Sequence, residues 1–166
     1  AHMIVALQQI VSRNADPRLP SVLSFGKVNA NGATNIIPDQ VKIEGTFRTL
    51  NEVWRKEAHA LMKKMAEGIA ESMGGSCEFT IMNGYPYLIN DPATTAVART
   101  AAEDYLGSDN VVDLDIWMAA EDFAYYSQEV NACFYRLGTG NKEKDTFHSV
   151  HTARFNVDED AFKISS

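Results

Sequence analysis

One long amphipathic stretch, residues 49–75, limits the folds open to this chain more than any other feature. Thr49-x-x-Glu52 has the spelling of a helix capping box, and Asn51 is a competing N-cap. Between this start and the glycine pair at 74–75, apolar residues recur every three or four positions: Trp54, Ala58, Leu61, Met62, Met65, Ile69 and Met73. The stretch predicts a long helix with one buried face, which must pack against a second layer.

Segments with strand patterns lie on both sides of this helix. Residues 22–28 and 40–48 precede it and residues 77–82 follow it, each with apolar or β-branched residues in alternation. A shorter helical pattern comes first, over residues 2–13. The order helix, strand, strand, helix, strand lacks only one leading strand of the split βαββαβ sandwich, in which two helices back one sheet. We expect an incomplete domain of this type over residues 1–88.

The second half has the pattern of a smaller alternation of helices and strands. Residues 85–92 have the composition of a crossing between domains, and Asp91 can cap a helix that Gly107 ends. The remaining predicted elements are a strand over 111–116, a helix from about Glu121 and a strand over 132–137. This αβαβ part, residues 89–166, is too small to cover both faces of a sheet, so it should need a partner segment. The fold class predicted for the whole chain is α/β.

Charge and composition argue against two classes of partner. The 166 residues carry a formal charge of −7, whereas binding to nucleic acid usually needs a basic face. No apolar run approaches the roughly 18 residues of a membrane-spanning helix, and the amino terminus lacks a secretion signal. Cys77 and Cys133 lie far apart without CxxC spacing, which suits free thiols in the cytoplasm, although one disulfide stays open. Because a helical pattern is already under way at residues 4–11, we expect the natural chain to extend upstream of Ala1.

The last quarter of the chain contains the residue types that metal chemistry uses. His148 and His151 lie three apart, and in an extended segment such residues point to opposite faces, so only one should reach a metal. Glu121 lies at a helix start, where a carboxylate complements the helix dipole or, alternatively, supports a metal ligand. Gly138 begins a turn of small residues that lets the backbone approach a ligand, but it is equally an ordinary turn. The other histidines are interpreted as surface residues of amphipathic helices: His2 and His59.

These pieces resemble the closing segment of a metallopeptidase family that includes hippurate hydrolase, aminoacylase, the indole-acetyl-amino-acid hydrolases and N-acetyl-diaminopimelate deacetylase. That family has a Glu-Asp-Phe helix start, then a Leu-Gly turn, and then a closing His-Ser/Thr-Pro-x-Phe-x-x-Asp-Glu signature. The matching pieces here are Glu121-Asp122-Phe123, Leu137-Gly138, His151-Thr152-Ala153-Arg154-Phe155 and Asp158-Glu159. The resemblance implies that His151 is the family's final metal-binding histidine. Ala153 and Asn131 each replace a usual proline, which loosens two turns and removes no ligand.

Two pieces of the first half resemble the same family's lid, or dimerisation, domain. They are Asn35-Ile36-Ile37-Pro38 and Gly45-Thr46-Phe47-Arg48, which are specific when they occur together at this spacing. The resemblance implies that Asn35 reaches a bound substrate, commonly in the cleft of a partner subunit. It also implies that Arg48 pairs with the carboxylate of the substrate, which a guanidinium can hold bidentately. From the residues alone, Asn35 equally shapes a turn and Arg48 equally ends a strand in solvent.

The resemblance further implies an activity. It is hydrolysis of the amide bond of N-acyl amino acids or small peptides by metal-activated water. The implied cofactor is a divalent metal, zinc first, with manganese, cobalt or nickel as alternatives and two ions in the complete enzyme. The general base and the remaining ligands belong to a region that this chain does not contain, so no catalytic residue is assigned here and the chain alone is expected to be inactive. A homodimer through the lid domain is also implied.

A non-catalytic interaction module is the alternative from another functional class. A βαββαβ domain can dimerise by pairing the edge strands of two sheets, with the rest of the chain as scaffold. The amino-acid sequence upstream of Ala1 separates the two hypotheses, because only the enzyme needs a Cys-x-His pair and consecutive glutamates there.

Overall fold

A computed structural model describes residues 1–165, which form two compact units. The first unit spans Ala1–Ala132 and the second begins at Cys133. The helices and strands are α1 His2–Leu7, β1 Ser21–Asn29, β2 Lys42–Thr49, α2 Glu52–Ser72, α3 Pro92–Leu106, α4 Ala124–Glu129 and α5 Phe162–Ser165. The mixed α/β class predicted from the sequence is confirmed, whereas the predicted domain boundary between residues 88 and 89 stays a prediction.

Strands β1 and β2 form an antiparallel hairpin that agrees with the two strands predicted before the long helix. Ser21 lies opposite Thr49 at one end and Asn29 opposite Lys42 at the other, with a bulge between Phe25 and Lys27. One face of the hairpin packs against the helices through three apolar side chains: Leu23, Phe25 and Phe47. Since side chains alternate across a strand, this register puts the apolar residues of both strands on one face.

The glycine in β2 allows the two strands to come close beside the bulge. A Cβ atom on Gly45 would lie 2.4 Å from the Ser24 carbonyl oxygen and 2.7 Å from Cδ1 of Phe25. The first of these neighbours is backbone, which cannot rotate away. By contrast, a Cβ atom on Gly26 would meet nothing within 4 Å. The steric need for glycine in this hairpin therefore lies at Gly45.

Gly45→Ala should lower the free energy of unfolding by about 1–3 kcal/mol, because the added methyl group forces the strands apart. Chemical denaturation of the variant and the parent chain measures this difference. Gly26→Ala is the matched control in the neighbouring strand, and it should be neutral or stabilising by up to about 1 kcal/mol. Equal destabilisation by both substitutions would contradict the steric explanation.

Helix α2 confirms the predicted amphipathic helix. Its N-cap is Asn51, whose side-chain oxygen accepts a hydrogen bond from the Trp54 amide at 2.9 Å. Trp54, Ala58 and Met62 lie in the core of the first unit together with Leu7 and Ile10. The residues that pack against this cluster while partly exposed are Met3, Ala15, Leu23, Phe25, Phe47, Met65 and Phe79.

The first helix is shorter than the predicted 2–13. Helix α1 ends at Leu7, and a π-helical turn follows over Ile10–Asn14. Its wider spacing is visible in the hydrogen bond from the Ala15 amide to the Ile10 carbonyl, at 3.1 Å. The Asn14 side chain also donates to the Gln9 carbonyl, at 2.9 Å. The turn lets Leu7 and Ile10 both reach the core, and Ile10 is fully buried.

The strand predicted over residues 77–82 is not formed in the described part of the chain, so this prediction is wrong. Its exposure still alternates, with Cys77 and Phe79 half-buried and Glu78 and Thr80 exposed. Among residues 1–165, the backbone of this segment has no hydrogen-bond partner. A strand requires a neighbour that completes the hydrogen-bond ladder, and a two-residue period cannot show whether one is present.

The strands predicted over 111–116 and 132–137 are also absent among the described residues. At the start of the second segment, the Ala132 carbonyl accepts a hydrogen bond from the Asp91 amide at 2.9 Å, but this single bond does not make a strand pair. The segment 111–117 alternates as a strand would, yet its apolar side chains are exposed by 57–73%: Val112, Leu114, Ile116 and Trp117. Helix α3 has the predicted Asp91 cap and Gly107 end but no buried residue. These exposed apolar faces fit the expectation that the second half needs a partner segment.

In the described residues, no helix combines the length and the apolar character needed to cross a membrane.

Candidate functional site

The histidines of the candidate site lie on a loop that is closed at its base, residues 141–158, called here the His151 loop. The Asp158 amide donates to the Thr139 carbonyl at 2.9 Å, and Nδ2 of Asn141 donates to Oδ2 of Asp158 at 2.7 Å. Inside the loop, Thr146 is buried and joined to Asn141 by three hydrogen bonds. The Thr146 amide and hydroxyl donate to the Asn141 carbonyl at 2.9 and 3.4 Å, and the Asn141 amide donates to the Thr146 hydroxyl at 3.0 Å. The hydrogen bonds of Asn141 therefore lie within the loop and help to close it.

Charged side chains strengthen the same closure. Nζ of Lys144 lies 2.6 Å from Oδ1 of Asp158 and also contacts Asp160, which pairs with Lys163 at 2.6 Å. Lys144 and Asn141 hold the pKa of Asp158 below its usual range, and Lys144 and Lys163 lower the pKa of Asp160 to about 2. Because both carboxylates have a lowered pKa and are favoured in their charged form, these contacts persist as the pH falls through the ordinary range of an aspartate.

His148 belongs to a second cluster within the loop. Its Nε2 lies 3.1 Å from Oδ1 of Asp145, and its ring packs on Phe147 with the ring centroids 4.5 Å apart. Asp145 also accepts a hydrogen bond from Arg154 at 2.9 Å, and Arg154 and His148 together lower the pKa of this carboxyl. The His148 side chain is largely covered. These contacts give His148 a structural role in the loop.

His151 lies at a turn and has a backbone conformation that is uncommon for its type. Its φ is +64°, in the left-handed region, which costs a residue with a Cβ atom roughly 1–2 kcal/mol. The residue is exposed, and in the described part of the chain its imidazole has no hydrogen-bond or ion-pair partner. The turn is held by its neighbours, since Thr152 Oγ1 donates to the Ser149 carbonyl at 2.9 Å. A strained, exposed residue with a free functional group is typical of a functional site.

The geometry differs from the one assumed in the sequence analysis. Residues 150–154 form successive turns and not an extended segment, so the argument from opposite strand faces does not apply. The two histidines differ in their contacts. His148 pairs with Asp145, whereas the His151 imidazole has no hydrogen-bond or ion-pair partner among the described residues.

Gly138 and Glu121 have ordinary surroundings. Gly138 is exposed, with no atom near the position of an added Cβ, so no close approach explains a glycine there. Oε1 of Glu121 accepts a hydrogen bond from the Phe123 amide at 3.4 Å, and the Glu121 carbonyl accepts the Ala124 amide at 3.2 Å. Glu121 thus shapes the turn that precedes α4, which begins at Ala124 and has no acidic residue in its first turn. The proposed ligand-related roles of both residues stay predictions.

Asn35 and Arg48, the predicted substrate contacts of the first unit, have different surroundings. Asn35 is at the centre of a tight turn closed by two hydrogen bonds between Ala33 and Ile36, each 3.1 Å long. Its side chain is exposed and has no hydrogen-bond partner among residues 1–165. Arg48 donates from its guanidinium to the Met118 carbonyl at 2.6 Å, which ties β2 to the segment that leads into Glu121.

The part of the chain that the structure describes does not assemble a complete metal site by itself. Among the described residues, no three His, Cys, Asp or Glu side chains are grouped as metal ligands. The free imidazole of His151 suits one position of a zinc-like site, but a catalytic zinc takes three protein ligands. The implied metal therefore does not fit the residues of this chain alone, and no chemical step through it follows from them.

Comparison with known proteins identifies the family. The family model described as peptidase family M20/M25/M40 matches residues 6–165, which is nearly the whole chain. The chain belongs to this peptidase family. The family resemblance seen in the sequence is thus confirmed, and the chain carries the fold of a hydrolase family.

Curated relatives of this M20 chain cover more than one hydrolase activity. N-acetyl-L-cysteine deacetylase of Bacillus subtilis is 36% identical over 161 residues, covering 97% of this chain and 37% of the relative. Thermostable carboxypeptidase 2 of Saccharolobus solfataricus is 31% identical over 162 residues, covering 97% of this chain and 40% of the relative. The M20 chain spans about two fifths of the length of the curated relatives it matches.

A solved structure supports the same assignment. The Bacillus subtilis YXEP protein, described as a dinuclear metal binding peptidase of the M20 family, aligns with a TM-score of 0.73 and 30% identity. The alignment covers 98% of this M20 chain and 41% of YXEP. A structural relative of this chain is thus a peptidase with a two-metal site.

Sequence reasoning missed the residues that build the His151 loop. Asn141 belongs to the turn of small residues that begins at Gly138, and the sequence analysis matched Asp158 only as part of a closing signature, whereas the structure joins the two across 17 positions. One signal was present in the sequence. Asn, Lys and Asp side chains flank a segment rich in turn formers, which is the composition of a loop closed by its own side chains.

Proposed function

We propose that this M20 chain is the carboxy-terminal portion of a metal-dependent amidohydrolase that cleaves the amide bond of N-acyl amino acids or small peptides. The observation that carries the proposal is the free, left-handed His151 on a closed loop, in a chain that matches the M20 model over residues 6–165. The substrate class is supported by the names of two relatives, a carboxypeptidase and an N-acetyl-L-cysteine deacetylase.

Each residue of this chain has a limited part in the proposal. His151 supplies one imidazole to a divalent metal, zinc first, with manganese, cobalt or nickel as alternatives, in a site of two ions. When bound, the metal supplies an activated water and polarises the carbonyl of the substrate. Asn35, Arg48 and Gly138 contact the substrate, and Glu121 supports the region beside the metal. The general base comes from polypeptide outside this chain.

Hydrolysis should therefore require more than the 166 residues. The purified chain, incubated with N-acetyl amino acids and Zn²⁺ or Co²⁺, should release no amino acid above the rate of buffer with metal. A chimaera should be active if it joins the amino-terminal part of the Bacillus subtilis N-acetyl-L-cysteine deacetylase to this chain at the aligned position. Chelator should abolish that activity, and metal should restore it.

The outcomes separate this proposal from the non-catalytic alternative. Metal-dependent hydrolysis by the 166 residues alone would show that they contain a complete site and would overturn the fragment proposal. A folded chimaera without metal-dependent activity would favour an interaction module.

Oligomeric state is a separate part of the proposal. We place the protein in the cytoplasm, where the free thiols of Cys77 and Cys133 persist, and we expect a homodimer through the lid region without nucleic-acid or membrane partners. The two-stranded sheet β1–β2 supports dimerisation, because each strand has one edge free to pair within the described residues. Sedimentation equilibrium of the chimaera tests this expectation.

A further inference from the structure

We propose that Asp158 is the positioning residue of the His151 loop, because it fixes both ends of the loop and thereby the direction in which His151 is presented. The inference rests on the proposed function, since it concerns how the His151 imidazole is made available. It assigns to Asp158 an action through the loop and not contact with a substrate.

Asp158 is where the two ends of the loop are joined. Its two carboxylate oxygens hold different partners, Oδ2 accepting from Asn141 at 2.7 Å and Oδ1 from Lys144 at 2.6 Å. Its backbone amide donates to the Thr139 carbonyl at 2.9 Å. Oδ1 also accepts the Asp160 amide at 3.2 Å, which caps the following 3₁₀ turn. The side chain is 13% exposed, so these hydrogen bonds are sheltered from water.

The loop needs such an anchor because it contains two strained positions. Asp145 and His151 both have left-handed backbones, with φ of +55° and +64°. A conformation of this kind persists only when the surrounding structure determines it. Asp145 is held by its own side chain through Arg154 and His148, but the imidazole of His151 has no partner among the described residues. The left-handed backbone of His151 is therefore held by the hydrogen bond between Thr152 and Ser149 within its turn and by the loop around it, whose ends Asp158 joins.

The neighbouring carboxylate provides a matched comparison. Glu159 is exposed and has no hydrogen-bond or ion-pair partner for its side chain in the described residues. It has the same charge as Asp158 and lies beside it in the chain, but it does not join the ends of the loop. Asp158→Ala, Asp158→Asn and Glu159→Gln therefore separate loop closure from a general effect of negative charge in this region.

The first experiment measures the loop in the 166-residue chain by NMR. Amide hydrogen exchange at Thr146 and Asp158 should be about tenfold faster in Asp158→Ala, because their hydrogen bonds depend on the closure. The nuclear Overhauser effect between the amide and α protons of His151 is strong when φ is positive, because these two protons then lie closest, and in Asp158→Ala it should weaken towards an averaged value. Asp158→Asn keeps a hydrogen-bond acceptor but not the charge, so its exchange rates should lie between those of the parent and of Asp158→Ala. Glu159→Gln should exchange at the rates of the parent. Exchange in α2 should be the same in all variants.

Two results would overturn the inference. One is an unchanged nuclear Overhauser effect between the amide and α protons of His151 in both Asp158 variants. The other is an equal effect of Glu159→Gln. If Asp158→Ala unfolds the second unit, Asp158→Asn still decides the question, because its milder change leaves this signal measurable.

The second experiment uses the chimaera and measures Co²⁺ binding by absorption spectroscopy. Asp158→Ala should weaken binding by about 10–100-fold, the usual effect of removing a residue that orients a metal ligand. A parent chimaera that binds no metal would contradict the proposed function while leaving the NMR result to decide the role of Asp158. A parent that binds Co²⁺, with a variant that binds it equally well, would overturn only the positioning role.

Discussion

Trp54→Ala should lower the free energy of unfolding of the first unit by about 3–5 kcal/mol, the usual result of removing a buried aromatic side chain. Trp54 lies in the core cluster beside Leu7, Ile10 and Met62, and its ring meets Phe47 edge-on with the centroids 6.4 Å apart. Removal of the indole leaves a cavity between α2 and the hairpin, which these neighbours can fill only in part. Urea denaturation followed by far-UV circular dichroism measures the loss.

Trp54 also stabilises the first unit through a hydrogen bond, which contributes less than its buried ring. Trp54→Phe removes this hydrogen bond and keeps an aromatic side chain. The indole Nε1 donates to Oγ of Ser21 at 3.0 Å, and this hydroxyl donates to the buried Thr49 at 3.3 Å. Trp54→Phe keeps most of the ring and should cost less than Trp54→Ala. Val53→Ala, at a position 69% exposed on the same helix, is the control and should change stability by no more than about 0.5 kcal/mol. A similar loss in Val53→Ala and Trp54→Ala would contradict the assigned core.

His151→Asn should lower kcat/KM of the chimaera for N-acetyl amino acids by at least about 100-fold. Removing a residue that only orients a metal ligand costs up to about 100-fold, and losing the ligand itself should cost no less. The expected cause is loss of one metal ligand. Asparagine is chosen because it tolerates the left-handed backbone found at His151, so the loop keeps its conformation. His151→Ala would remove the imidazole and add backbone strain, which mixes two effects.

The companion variant is His148→Asn. His148 contacts Asp145 and Phe147, and nothing in the geometry gives it a ligand role, so the chimaera should keep most of its activity. In the 166-residue chain, His151→Gly should be more stable than His151→Ala by about 1 kcal/mol if the left-handed backbone is correct. Loss of activity in His148→Asn but not in His151→Asn would assign the metal to the other histidine.

Elements determined by local sequence were predicted well. The Asn51 and Asp91 caps, the Gly107 end of α3 and the strands β1 and β2 all lie where short-range patterns place them. One detail was different, since the Thr49-x-x-Glu52 capping box does not form. Thr49 is buried against Ser21, and Glu52 pairs with Arg55 at 2.9 Å. Asn51 satisfies the helix start without them.

Elements that depend on distant partners were not predicted. Residues 77–82 have the alternation of a strand, but pairing is a property of two segments and only one is visible in a local pattern. The candidate site shows the same limit. His151 was found through family resemblance, whereas its backbone strain and its dependence on Asp158 arise from contacts across the loop that no spacing rule reveals.

The exposed apolar segment 111–117 has a consequence for handling this polypeptide. Val112, Leu114, Ile116 and Trp117 form a short extended run with β-branched and aromatic side chains and no proline, which is the composition from which aggregates nucleate. Asp113 within this segment pairs with Arg99 at 2.6 Å, which leaves Asp115 to add charge repulsion between neighbouring copies. Added salt that screens this charge should bring on turbidity before any helix melts, so storage at low ionic strength is the safer choice.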